Sequence, residues 1–281
     1  MARKAEPGDG NRNREPTDAF LFPPPAGPEG SPGPRLRTRA RQRLSRGLFI
    51  LPTLFTVGNL FCGYLSVWCS IRGTFDTAAI LIIVAAVLDM LDGRIARLTN
   101  SASRFGEEYD SLADLVSFGV APAVLAYAWG LADFHRLGWM ASFLFVVCGS
   151  MRLARFNIQT RVVDKKYFIG LPIPAAAGTI ATLVLATPER LVDQVWMAGL
   201  LALTVVLSYL MISTLRYRSF KDLDLKRQRR AWILPVIALI FAVIAYRPAA
   251  ALLAMALVFA ASGPVTKLVS VLLDRRRKAS A

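Results

Sequence analysis

The chain has 281 residues, 54% of them hydrophobic, with a formal net charge of +15 and a mean hydropathy of +0.44. A soluble domain of ordinary composition is far less apolar, so these numbers exclude one and point to a bilayer. In a soluble protein +15 would indicate nucleic acid, but here the basic residues flank hydrophobic segments, where anionic headgroups and topology explain them and no nucleic-acid partner is expected.

Residues 1–34 are polar and proline-rich, with Pro23, Pro24, Pro25, Pro28, Pro32 and Pro34. Such a composition cannot bury enough apolar surface to fold, so a disordered tail is expected. No secretory signal peptide is read there. Residues 35–47 carry Arg35, Arg37, Arg39, Arg41, Arg43 and Arg46, interspersed with Leu36 and Leu44. This reads as a juxtamembrane segment on an anionic surface. From 48 to 273 the chain reads as one membrane domain, followed by a basic tail at 274–281.

A spanning helix needs roughly 20 mostly apolar residues. Eight segments qualify: 49–71, 75–97, 109–130, 137–156, 170–188, 194–214, 231–247 and 249–272. The fifth opens on Pro172 and Pro174, which a first helical turn tolerates. Arg247-Pro248 makes the last connection a tight turn. The fold class expected is therefore an all-α integral membrane protein of about eight transmembrane helices. Placing the N-terminus in the cytoplasm leaves only Arg72, Arg136, Arg190 and Arg247 in the outer loops. The inner side then takes the N-terminal arginines, Arg94, Arg97, Arg104, Arg152, Arg155, Arg161, Lys165, Lys166, the basic stretch Arg216 to Arg230 and the tail Arg275 to Lys278. So uneven a division supports eight spans with both ends cytoplasmic.

Cys62, Cys69 and Cys148 all lie in apolar segments, and His135 is the only histidine. This pattern fits apolar packing rather than zinc or a disulfide framework. The carboxylates are different. Asp89 closes an apolar run that begins at Thr77, and Asp114 opens another that continues to Gly130. Ionisable groups in such places are expensive and are kept for function. Asp89, Asp92 and Ala96 share one helical face, with Gly93 and Arg97 beside it, and Gly106, Asp110 and Asp114 share another. Two helices thus present two carboxylate pairs at the cytoplasmic edge of the bilayer. Oxygen ligands without Cys or His favour magnesium, manganese or calcium. Two such ions suit phosphoryl or phosphatidyl transfer. The small Gly93, Ala96 and Gly106 admit a pyrophosphate, and Arg97 offers a fork to its oxygens.

The spacing Asp89-x2-Asp92-Gly93-x2-Ala96-Arg97-x8-Gly106-x3-Asp110-x3-Asp114 resembles the signature of the CDP-alcohol phosphotransferase family. Those membrane enzymes displace CMP from a CDP-linked donor with an alcohol. The resemblance implies that Asp89, Asp92 and Asp110 are metal ligands, with two Mg2+ or Mn2+ ions as the cofactors expected. It implies that Asp114 is a further ligand and the general base, and that Gly93, Ala96, Arg97 and Gly106 cradle the nucleotide and pyrophosphate. Further features are Asn59 after Leu-Pro-Thr-Leu-Phe-Thr, Arg152-Leu-Ala-Arg155-Phe-Asn157, the Gly170-Leu-Pro172-Ile-Pro174 opening and Tyr217-Arg-Ser-Phe-Lys221. These are similar to the membrane-bound bacterial and archaeal phosphatidylserine synthases. That branch implies CDP-diacylglycerol and L-serine as substrates, phospholipid synthesis at the inner membrane and a homodimer. Arg152, Arg155, Asn157 and Lys221 fall at the cytoplasmic face and are the candidate acceptor-binding groups.

Two other readings stay open. Within the family, the acceptor is instead glycerol 3-phosphate, an inositol phosphate or choline, with Arg104, Lys165 and Lys166 available for a phosphorylated one. Outside it, the carboxylates belong to a cation transporter, although they sit near one face rather than at the midplane.

Overall fold

The computed structural model describes residues 35–98, 103–159, 167–218 and 247–279. The expected tail at 1–34, Lys221 and the expected span at 231–247, apart from Arg247, lie outside these residues. The chain divides into two compact units, Met1–Arg43 and Leu44–Ala281. In the first, residues 35–43 are described and are helical. The second holds everything that follows.

Helix α1 (Arg35–Arg72) ends where Gly73 takes φ 78, a left-handed conformation that closes helices cheaply only in glycine. Thr74 N then bonds Cys69 O at 3.0 Å, and α2 (Phe75–Leu98) returns beside α1, with Ser66 Oγ donating to Ala78 O at 2.8 Å. Ser103, extended at φ −120 and ψ 151, caps α3 (Arg104–Asp114) by accepting the Gly106 N–H at 3.0 Å. Directly after Asp114 the helix widens into a π-helical segment, Leu115–Val120, then continues as α4 (Ala121–Ala126) and a second π segment, Tyr127–Leu131. Wide turns of this kind inside helices are rare and cluster at functional sites.

At His135, φ 46, the chain reverses, and α5 (His135–Gln159) packs back against the segments that precede it. Strand β1 (Tyr167–Ile169) leads to Gly170, whose φ of 81 brings it so close to Met211 O that a Cβ would collide with that oxygen. Helix α6 (Ile173–Ala186) follows, then α7 (Gln194–Ile212), β2 (Arg216–Arg218) and α8 (Pro248–Ala279). β1 and β2 pair antiparallel, Tyr167 opposite Arg218 and Ile169 opposite Arg216. This short ladder is a departure from the purely helical expectation. It is anchored by Gly170 N donating to Leu215 O at 2.8 Å and Leu171 N to Leu210 O at 3.0 Å.

The core forms around α6, of whose 14 residues eight are buried. It packs on α2 through Ala78, Ala79, Ile82 and Ala85, and on α8; α5 and α7 pack together nearby. Many of these contacts use alanine or glycine. In lipid, helix association relies on close van der Waals approach, which small residues permit. The outward faces remain apolar: Phe61, Trp68, Trp139, Phe143, Trp196 and Val206 are all exposed. A helix apolar on all sides belongs in a membrane.

Four described helical stretches are long and apolar enough to cross one: Thr53–Arg72, Arg104–Ile158, Gln194–Ile212 and Pro248–Lys267. The 55 residues of Arg104–Ile158 fold as a hairpin about His135, covering the third and fourth expected spans. α2 forms at the expected second span, but Asp76, Asp89, Asp92, Arg94 and Arg97 break its apolar character. α6 is shorter than the expected 170–188, because Gly170 and Pro172 are not helical. α8 runs past 272 into the basic tail, whose Leu, Arg, Lys and Ala residues are good helix formers. The molecule is a multi-pass helical membrane protein.

Candidate metal and transfer site

Asp89 and Asp92 lie one turn apart near the end of α2. Asp110 and Asp114 lie one turn apart at the end of α3. The fold brings the two pairs together. One carboxylate oxygen from each of Asp89, Asp92 and Asp110 lies within 4.8 Å of the others. Asp114 stands outside that group of three but close enough to Asp89, Asp92 and Asp110 for the charges to interact.

The protein itself satisfies only some of the oxygens of this donor set. Asp92 Oδ2 accepts the Thr56 hydroxyl at 3.1 Å, while Asp92 Oδ1 is buried with no hydrogen-bond partner. Asp110 Oδ1 is likewise buried and unpartnered. Buried polar atoms are normally bonded, so two orphaned carboxylate oxygens in one cluster call for an explanation. A hard divalent cation supplies it, since the cluster is all oxygen, without Cys or His. The residues present therefore fit a divalent metal.

Other expected site residues line the same region with different duties. Gly93 has only Arg97 Nη2 near the place of a Cβ, at 3.8 Å, so the backbone there is open. Arg97 is exposed and its Nε donates to Gly93 O at 2.7 Å, folding the guanidinium back along its own helix. Ala96, half-buried, follows on the next turn from Asp92. Gly106 sits in the first turn of α3, where a Cβ would lie 3.1 Å from Ser103 Oγ; it thus leaves room for the cap.

Of the expected acceptor residues, Arg152 is buried on α5, its guanidinium 5.4 Å from the Phe156 ring and within electrostatic reach of Asp114. Asn157 Nδ2 donates to Ser111 Oγ at 2.9 Å, between the two α3 carboxylates in sequence. Arg155 Nη1 donates to Ile212 O at 3.0 Å, at the C-terminal end of α7. A cation there also complements the helix dipole.

Two site residues come from α1. Thr56 holds Asp92, and Asn59 Nδ2 donates to Asp114 Oδ1 at 3.1 Å. Both are buried. Asn59 O in turn accepts from Ser117 Oγ at 2.9 Å, and Gly63, one turn on, lies so close to Ser117 that a Cβ would overlap it. The sequence signals for these partners are the Leu-Pro-Thr-Leu-Phe-Thr stretch before Asn59 and polarity within an apolar helix, at an offset of three. The offset indicates a shared face but not what that face meets.

With this geometry in view, similarity becomes informative. Residues 49–211 match the CDP-alcohol phosphatidyltransferase family. The chain belongs to that family. Among relatives, it is 40% identical over 195 residues to the CDP-diacylglycerol–serine O-phosphatidyltransferase of Helicobacter pylori, covering 69% of this chain and 82% of that protein. It is 36% identical over 171 residues to the Bacillus subtilis protein of the same name, covering 61% and 91%. It is 40% identical over 169 residues to the archaetidylserine synthase of Methanothermobacter thermautotrophicus, covering 59% and 69%. In this CDP-alcohol phosphatidyltransferase, all four site aspartates and their α1 partners lie inside the matched region.

Proposed function

We propose that the protein transfers the phosphatidyl group of CDP-diacylglycerol to L-serine, giving phosphatidylserine and CMP. The observation that carries this reading is the convergence of Asp89, Asp92 and Asp110 beside Asp114, in a chain of this family whose relatives are named for serine as acceptor.

Asp89, Asp92 and Asp110, with Asp114 as a further ligand, would hold two Mg2+ or Mn2+ ions, which when bound offset the clustered negative charge and stabilise charge on the phosphate oxygens. Asp114 takes the proton of the serine hydroxyl. The serine oxygen forms a bond to the phosphorus that carries the diacylglycerol. The bond from that phosphorus to the bridging oxygen breaks, and CMP leaves with the electron pair. Arg152, buried near Asp114, offers a cation to the serine carboxylate, and Asn157 with Ser111 offers hydrogen-bonding groups. Holding the two substrates in line supplies a large part of the rate, as in other phosphoryl transfers. The uneven distribution of arginine and lysine supports an active site on the cytoplasmic face of the cell membrane, with both termini on that side.

The test is an acceptor screen with labelled CDP-diacylglycerol and purified protein in detergent. Metal-dependent release of CMP with L-serine, and formation of phosphatidylserine, is the expected result. Product with glycerol 3-phosphate and none with serine would reassign the acceptor. Absence of CMP release with any alcohol would reject transfer altogether.

A further inference from the structure

We infer that Thr56 and Asn59, one turn apart on α1, are positioning residues that set the orientation of two different site carboxylates, Asp92 and Asp114. The inference rests on the proposed metal-assisted transfer and deepens it.

Three observations carry it. First, both side chains reach a carboxylate on another helix. Ser66 and Ser117 cross to a backbone carbonyl of a neighbouring helix, but several buried hydroxyls in apolar helices bond the carbonyl one turn back: Thr179 to Ala175 O, Thr182 to Gly178 O, Thr204 to Leu200 O and Ser208 to Thr204 O, at 2.7–2.9 Å. That is the local default. Thr56 reaches across to a carboxylate 36 positions later, and Asn59 to one 55 positions later.

Second, each contact leaves its carboxylate in a definite orientation. With Oδ2 of Asp92 on the Thr56 hydroxyl, the unpartnered Oδ1 is the atom left for a cation. An ionised Asp114 only accepts, so Asn59 must turn its amide nitrogen toward it. That fixes Oδ1 of Asp114 and leaves the other carboxylate oxygen as the one to meet an incoming hydroxyl.

Third, the support is itself held. Thr56 and Asn59 are 6% and 0% exposed. The Asn59 carbonyl is bonded by Ser117 from the π segment that follows Asp114, and Gly63 lets that segment approach α1 closely. α1 therefore acts as a straightedge against which the carboxylates of α2 and α3 are aligned. Groups that orient ligands in this way typically influence metal affinity or activity by roughly 10- to 100-fold.

The experiment uses the full-length protein in detergent with Mn2+ as the probe. Bound Mn2+ is read by electron paramagnetic resonance without substrate, and turnover is read separately. The near-isosteric Thr56→Val is expected to weaken Mn2+ binding roughly 10-fold or more, and Thr56→Ser, which keeps the hydroxyl, to restore most of it. Asn59→Leu is expected to lower kcat roughly 10-fold or more with little change in KM for CDP-diacylglycerol, and Asn59→Gln, which keeps a donor, to recover part of the loss. Should Asn59→Leu fail to fold, the comparison of Asn59→Gln with Asn59→Ala takes its place, with the donor-bearing variant expected to be the faster. If wild-type protein binds Mn2+ and Thr56→Val binds it equally well, positioning by Thr56 is overturned. Equal kcat in the donor-bearing and donor-lacking Asn59 variants overturns positioning by Asn59. If wild-type protein binds no Mn2+, the metal reading beneath the inference fails instead.

Discussion

Asn157 Nδ2 donates to Ser111 Oγ at 2.9 Å, tying the end of α5 to α3 at the residue that follows Asp110. Ser111 Oγ also lies 3.1 Å from Glu107 O, so the hydroxyl links α5 to the backbone of the helix that carries both carboxylates. Replacing Asn157 by Leu removes this link while keeping the volume. A single hydrogen bond contributes only about 0.5–1.5 kcal/mol to stability, so the protein should still fold. Turnover, which depends on placement, should fall roughly 10-fold. Steady-state kinetics beside a thermal melt in detergent checks both parts; unchanged kcat/KM for serine would remove Asn157 from the site.

Asp114→Asn is the cleanest probe of the base. The amide keeps an oxygen for Asn59 Nδ2, so the contact at 3.1 Å has an equivalent. The variant loses the capacity to take a proton, together with one negative charge of the cluster. General-base catalysis contributes roughly 10²- to 10⁴-fold, and turnover should drop by that factor with CDP-diacylglycerol binding largely intact. Wild-type turnover would sink the assignment.

Gly63 and Gly178 make a matched pair. A Cβ on Gly63 would overlap the Ser117 side chain and lie 2.7 Å from its Cα, so Gly63→Ala must push α1 from the π segment. Overpacking of this sort costs about 1–3 kcal/mol, and it also displaces Asn59, so activity should fall with stability. At Gly178 nothing among the described residues lies within 4 Å of the added carbon. Gly178→Ala in α6 should be neutral or stabilising by up to about 1 kcal/mol. Thermal unfolding of the two variants side by side decides this.

Arg155 is expected to act on stability before affinity. Its bond to Ile212 O joins α5 to the end of α7, and hydrogen bonds to charged groups contribute about 1.5–3 kcal/mol. Arg155→Met should lower the melting temperature and leave the KM for serine unchanged. A raised KM at unchanged stability would return Arg155 to the acceptor site.

Deletion of residues 1–34, which precede the family match at 49–211, should leave turnover within roughly twofold of wild type. Loss of activity on deletion would show that the tail contributes to the site.

Much of the site is legible in the sequence because helical spacing is local. Offsets of three and four place Asp89 with Asp92 and Asp110 with Asp114 whatever surrounds them, and the absence of Cys and His nearby settles the kind of cation they suit. Long apolar runs likewise settle that the chain is a helical membrane protein. The rest depends on contacts between residues far apart in the chain, and periodicity carries no record of those. Thr56 and Asn59 stand out in the sequence as polar residues on one face of α1, Asn59 also as part of the resemblance; that they meet Asp92 and Asp114 is decided by how α1 packs on α2 and α3. Arg152 and Arg155 look alike as arginines at a membrane edge. Three positions of helical rotation send one toward Asp114 and the other to the end of α7. The widening after Asp114, the β1–β2 ladder and the shortness of α6 follow from packing in the same way. What the amino-acid sequence determined alone is which carboxylates exist and which share a face; the tertiary structure decided which oxygen of Asp92 and which of Asp114 is held, because that choice belongs to neighbours 36 and 55 residues away.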